Sequence, residues 1–306
     1  MLSKKVKILS LCVSVLLVAS CSEYAKMLRN EDPNERLEYS KKLFEEEKYG
    51  KVVKVLEPVY QRFKNTKEGE LADWMMAYSW YEDGSYELSA YLMSSFARTY
   101  PTSENLQKAA FLSAESAYNL SPDSYLDPEY TTKAISSLQR FIDLYPTSDL
   151  IPKADSMVRE LNVKLDKKAF DIAYNYYHME DYSSAVIAFT TILDENPATT
   201  YREKILYYRF RAAAIYAYKS IPDLQAERYT EAISYGKSFL RSFPSSAQAN
   251  EVSTLLQAIE NRSAALDVII KQLSKGRDFE KIKAQKLEKA FQKDEKKQKT
   301  DNQPKE

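Results

Sequence analysis

Apolar residues recur three and four positions apart through most of the chain, and the runs with this period are separated by short polar stretches containing proline. In "EDYSSAVIAFTTILDENP", Tyr182, Ala185, Phe189 and Ile192 fall on one helical face and Pro197 closes the run. Ala169, Ile172, Ala173 and Tyr176 mark the helix before it. The register returns in "GSYELSAYLMSSFARTYP" with Tyr86, Ser89, Met93, Phe96 and Pro101, and in "ERYTEAISYGKSFLRSFP" with Tyr229, Ala232, Gly236, Phe239 and Pro244. A further copy places Ala134, Leu138 and Phe141 before Pro146, and a first one offers Tyr49, Val52, Leu56 and Val59 without a closing proline.

Each copy pairs two helices, and small residues such as Ala77, Ala173 and Ala232 let them approach closely. Proline ends the second helix because its ring and missing N–H cannot continue the ladder, and the residue before it is pushed out of the α region. A Ser or Thr after the proline is then available to cap the next helix. The period fits tetratricopeptide repeats of ~34 residues. The fold expected is all-α: a tetratricopeptide-repeat solenoid of about five helix pairs over 34–262, with a C-terminal capping helix. Spacings of 37, 45, 51 and 47 residues between equivalent positions require insertions, and "LSPDSYLDPEY" at 120–130 reads as a long loop.

The ends of the chain differ from its body. Lys4, Lys5 and Lys7 precede the apolar run "ILSLCVSVLLVA", which is shorter than the ~20 residues of a membrane-spanning helix, so 1–20 reads as a signal peptide. Cys21 after Val18, Ala19 and Ser20 resembles the lipobox of bacterial lipoproteins, whose cysteine is acylated; ordinary secretion is the alternative. Residues 21–33 would then be a lipidated linker, and Ser22 suggests, by resemblance to lipoprotein sorting, delivery to the outer membrane. Once the signal peptide takes Cys12 away, one cysteine remains and no internal disulfide is possible. Residues 263–306 read as a helix fading into a basic, disordered tail, and 271–306 hold 12 basic against 7 acidic groups. Since the whole chain is neutral, the body is acidic, which argues against nucleic acid as a partner.

The composition excludes much. Five glycines are too few for a phosphate-binding α/β fold or a turn-rich β-sandwich. His178 is the one histidine, and no catalytic motif, metal-ligand set or cofactor fingerprint is present, so a binding protein is expected rather than an enzyme. What stands out is the fifth, ninth and twelfth positions of the first helices: Leu37, Lys41 and Phe44; Trp74, Tyr78 and Tyr81; Phe111, Glu115 and Tyr118; Phe170, Tyr174 and Tyr177; with Phe210 as a continuation. These positions share one face, and that face is either an aromatic-lined groove for an extended peptide or interior packing. The groove reading takes Leu37, Phe44, Trp74, Tyr78, Tyr81, Phe111 and Tyr118 as its lining.

A lipobox cysteine followed by about five such repeats resembles the BamD (YfiO/ComL) lipoproteins of the outer-membrane β-barrel assembly machinery. The most specific segment is 127–182, with Asp127-Pro128, Ala134, Phe141, Tyr145-Pro146, Ser148, Ala154, Leu161, Leu165, Ala173, Tyr176 and Tyr182. The resemblance implies a lipid-anchored, non-enzymatic scaffold on the periplasmic face of the outer membrane. Its implied partners are a BamA-like barrel-forming assembly subunit, bound through the C-terminal repeats, and unfolded outer-membrane proteins held in the N-terminal groove. A repeat lipoprotein that binds glycans or other envelope proteins is the rival reading, since aromatic platforms also stack on sugars.

Overall fold

The computed structural model describes residues 23–268 together with Lys271, Lys281 and Gln285. Residues 1–22, which hold the expected signal peptide and Cys21, and most of the C-terminal tail lie outside the described residues. Among the described residues the regular structure is helical: α1 (Pro33–Glu45), α2 (Tyr49–Leu56), α3 (Gly69–Glu82), α4 (Tyr86–Thr99), α5 (Leu106–Asn119), α6 (Glu129–Leu144), α7 (Ile151–His178), α8 (Tyr182–Glu195), α9 (Arg202–Lys219) and α10 (Pro222–Ser242). A further helix, α11, occupies 249–268. Consecutive helices from α1 to α6, and again from α8 to α10, pack on one another as antiparallel neighbours.

The joints between repeats are built alike. The N–H groups of Tyr100, Tyr145, Asn196 and Phe243 donate to the carbonyls of Phe96, Phe141, Ile192 and Phe239, closing α4, α6, α8 and α10. Proline follows each of these four residues. Three positions after each closing residue stands Ser103, Ser148, Thr199 or Ser246, whose hydroxyl accepts from the N–H two residues on, at 3.1–3.3 Å. The helix stop falls where the sequence places it, but the hydroxyl braces the turn and does not cap the next helix: the N-caps of α5 and α9 are Asn105 and Tyr201, and neither makes a side-chain cap bond.

The extra length sits elsewhere than a loop count suggests. The 120–130 stretch is a loop up to Pro128, but the widest spacing between repeats is taken up by α7, whose 28 residues form one helix. Its first half places Ala154, Met157 and Leu161 in one core, and its second half places Phe170 and Ala173 in another. In the first repeat, α2 stops at Leu56 and a short 3-10 turn, Tyr60–Phe63, follows Pro58.

The chain divides into two compact units between Leu165 and Asp166. The first has two clusters: one of α1, α2 and the start of α3, including Leu37, Val52, Leu56 and Met75; the other around Met93, Phe96, Phe111, Leu138 and Phe141. The second unit is built around Phe189, Phe210, Tyr229 and Phe239.

Candidate functional site

In the first unit, the first helices of successive repeats lie side by side and their side chains are stitched to one another. Trp74 stacks on Tyr78 with ring centroids 5.4 Å apart, and Phe44 and Tyr49 meet Tyr78 edge-on at 5.6 Å. Tyr81 continues the row to Tyr86 at 5.8 Å. From α5, the Lys108 ammonium lies 4.7 Å over the Tyr78 ring and 5.5 Å over Trp74. From α7, Lys153 lies 5.2 Å over Phe111 and 2.5 Å from the carboxylate of Glu115, whose side chain is buried. Tyr118 donates to Glu160 at 2.6 Å. Between α5 and the start of α7 opens a cleft of about 770 Å³, lined by Tyr81, Lys108, Phe111, Glu115, Tyr145 and Lys153 among others.

Depth along this face follows helical position. Leu37, Trp74 and Phe111, the fifth positions, are buried, while Phe44, Tyr78, Tyr81 and Tyr118 are half-buried and present one side to solvent. Phe44, Trp74, Tyr78 and Tyr81 form one contiguous patch; Phe111 is reached through Lys153 and the cleft; Leu37 belongs to the core of the first repeat. The residues that the spacing rule did not supply are Tyr49 and Tyr86, from second helices, Lys108, three positions before Phe111 on α5, and Lys153, near the start of α7. Their signal in the sequence is slight, because an isolated lysine on a helix reads as ordinary solvated surface.

The second unit has its own aromatic cluster. Phe170 stacks near Tyr174 and Tyr201 at 5.7 and 5.2 Å, and Tyr208 meets Tyr174 and Tyr177 edge-on at 4.8 and 5.2 Å. Lys204 covers Tyr201 at 5.4 Å, and a cleft of about 300 Å³ lies among Phe170, Tyr174, Lys204, Tyr207 and Tyr208. Phe210, which the spacing offers as the next member of the row, is instead fully buried in the core. Tyr208, half-buried, and Tyr207, largely buried, line the cleft on α9. Among the described residues no group of His, Cys, Asp and Glu could hold a metal ion, and no helix is long and apolar enough to cross a membrane.

The family whose sequences match this chain is YfiO, described as outer membrane lipoprotein, over residues 29–213 and again over 163–280. The chain belongs to the YfiO family. The first of the matched spans covers the aromatic face of the first unit, from Leu37 to Tyr118. A relative from Rickettsia prowazekii (strain Madrid E), outer membrane protein assembly factor BamD, is 22% identical over 193 residues, which is 63% of this chain and 75% of the relative. The crystal structure of the de novo designed helical repeat protein DHR64 aligns with 80% of this chain and all of its own at 15% identity, with a TM-score of 0.13. The fold of this YfiO-family chain therefore rests on its own helices.

The tyrosines give the face a pH signature. Burial and the carboxylate of Asp73, 2.9 Å away, push the Tyr100 hydroxyl up from 10 to about 12. Burial raises Tyr78 and Tyr81 as well, with help from Glu82 and Glu115 respectively. A hydroxyl whose folded pKa is raised contributes stability that is complete below its unfolded pKa and is lost as pH climbs towards the folded value. The first unit is therefore expected to lose stability between about pH 10 and 12, the window set by Tyr100. Tyrosinate absorbance should rise together with loss of helical circular dichroism. Ionisation of these tyrosines well before unfolding would contradict the burial described.

Proposed function

We propose that this chain is an acylated scaffold for outer-membrane protein assembly. Cys21 tethers it to the periplasmic face of the outer membrane, the first unit holds an extended, unfolded β-barrel precursor against its aromatic face, and the second unit binds a barrel-forming assembly subunit. The observation that carries the reading is the contiguous patch of Phe44, Trp74, Tyr78 and Tyr81, crossed by Lys108, in a chain whose family is one of outer membrane lipoproteins. The name of the Rickettsia relative, an assembly factor, supports the same process. Rigid aromatic rings supply large contact area at little entropic cost, and half-buried tyrosines leave an exposed side for a ligand's own aromatic residues. Lys108, Glu115 and Lys153 offer both charge signs, which suits main-chain and terminal groups of an extended peptide. No step of this activity makes or breaks a bond, so binding geometry is all that the reading asks of the site.

The test is depletion followed by complementation in the native organism. Depletion should lower the amount of folded β-barrel proteins in the outer membrane, and the wild-type chain should restore it. Cys21→Ala should fail to restore it and should appear in the soluble periplasmic fraction. Normal barrel assembly during depletion would sink the proposed role, and a Cys21→Ala protein retained wholly in membranes would sink the tether.

A further inference from the structure

Glu23 and Tyr24 lie beside the turn joining α1 to α2: Glu23 is 3.6 Å from Lys42, and Lys51 sits 5.1 Å over the Tyr24 ring. The chain then runs along the first hairpin to Asn30, whose carbonyl accepts from Arg36 near the opposite end of α1. Glu23 therefore lies at the edge of the first unit that carries the turns within repeats, and Cys21 precedes it by two residues in the chain. Because neighbouring helices are antiparallel, α1, α3 and α5 run in one direction, and the turns 46–48, 83–85 and 120–128 share that edge.

The first two turns are short and polar. The third is braced from several sides. Lys164 Nζ donates to the Ser121 carbonyl at 3.2 Å and to its Oγ at 2.8 Å, and Ser121 Oγ is 2.8 Å from Thr131 Oγ1. Asp127 accepts from the Glu129 N–H at 2.8 Å, and the Leu126 N–H donates to Asp123 O at 3.0 Å. This bracing leaves Tyr125 74% and Leu126 48% exposed. The braced loop thus holds two large, neighbouring side chains out into solvent.

We propose that the 120–128 loop rests Tyr125 and Leu126 in the interfacial layer of the bilayer to which Cys21 is tethered. The inference rests on the acylation reading above. A tyrosine suits the headgroup layer and a leucine the acyl boundary. The tether supplies a high effective concentration, so a contact too small to hold the protein is enough to orient it. The within-repeat edge of the first unit then faces the membrane, and the proline joints face away. Asp123, Asp127 and Glu129 around the tips favour zwitterionic over anionic headgroups. In the second unit, by itself, two turns of the same kind also carry exposed apolar tips, Met179 at 66% and Ile221 at 62%.

The experiment uses the full acylated lipoprotein carrying Tyr125→Cys or, in a proline joint on the opposite edge, Thr102→Cys. In the acylated chain the Cys21 sulfur is blocked, so an environment-sensitive fluorophore labels the introduced site alone. The protein is reconstituted into zwitterionic vesicles containing a brominated lipid. The label at 125 should shift to the blue and be quenched, and the label at 102 should do neither. A protein that floats with the vesicles yet leaves 125 unquenched, or quenches both sites equally, overturns the loop contact and leaves the tether standing. A protein that does not float overturns both.

Discussion

Phe210→Ala is expected to cost about 3–5 kcal/mol, the range for emptying a buried phenylalanine site. The ring is fully buried between α9 and α10, and Gly236 is the reason it fits. A Cβ built on Gly236 would stand 2.8 Å from Phe210 Cε2 and 3.1 Å from Leu256 Cδ1, so the helix backbone itself forms the wall of the ring's site. Backbone cannot rearrange to fill a void as a flexible side chain does, which places the loss towards the upper end of the range. Set against a typical domain stability of about 5–15 kcal/mol, this is enough to bring the second unit close to unfolding. Urea melts followed by circular dichroism would show it. A midpoint near that of the wild type would mean that Phe210 is not packed in the core of the second unit.

Arg36→Met should have the next largest effect, and a local one. Arg36 is a buried cation that donates to three carbonyls: Val55 at 2.9 Å, Leu28 at 2.7 Å, and Asn30. Each is a hydrogen bond from a charged group, worth roughly 1.5–3 kcal/mol, and methionine keeps the packing of the stem while leaving the acceptors bare. Water can reach the Leu28 and Asn30 carbonyls once the segment lifts away, so the net loss should be about 3 kcal/mol rather than the full sum. The segment 23–30 is pinned to α1 and α2 by these bonds. Trypsin should cut after Lys26 and Arg29 much faster in the variant than in the wild type. Unchanged cleavage would show that Tyr24 and Met27, packed on the first core, hold the segment without Arg36.

The helices were legible because their punctuation is local. The proline after Tyr100, Tyr145, Asn196 and Phe243 and the hydroxyl residue two positions beyond it act within one turn of chain, so the sequence shows the joint directly, although the hydroxyl holds the turn and does not cap the helix. The same holds for Ala77, Ala173 and Ala232, fully buried where first and second helices touch. What could not be read was how far a helix runs when no breaker stops it. Between Pro152 and Tyr182 the chain has neither glycine nor proline, and α7 accordingly continues to His178 where the repeat spacing alone suggested an insertion. Pro58, six residues before Lys64, where the missing proline would stand, shortens α2 for the opposite reason.

The candidate face was legible in outline. Helical spacing correctly groups Trp74, Tyr78 and Tyr81 on one side of α3, because that depends on one helix alone. Which of them is buried depends on the neighbouring helix: α5 brings Lys108 over Trp74 and Tyr78, and no local pattern announces a lysine arriving 30 residues later. Phe210 shows the same boundary from the other side, its depth being set by a glycine on α10.

The central claim is that the aromatic face of the first unit receives unfolded β-barrel precursors. It is tested most directly by placing a photo-reactive amino acid at Tyr78 and, as a control, at Tyr91, which is exposed on the second helix α4. Illumination in cells making a pulse-labelled outer-membrane β-barrel protein should trap the precursor at 78 and not at 91, and the adduct should fade as the barrel matures. No adduct at 78, or equal adducts at the two positions, would contradict the account.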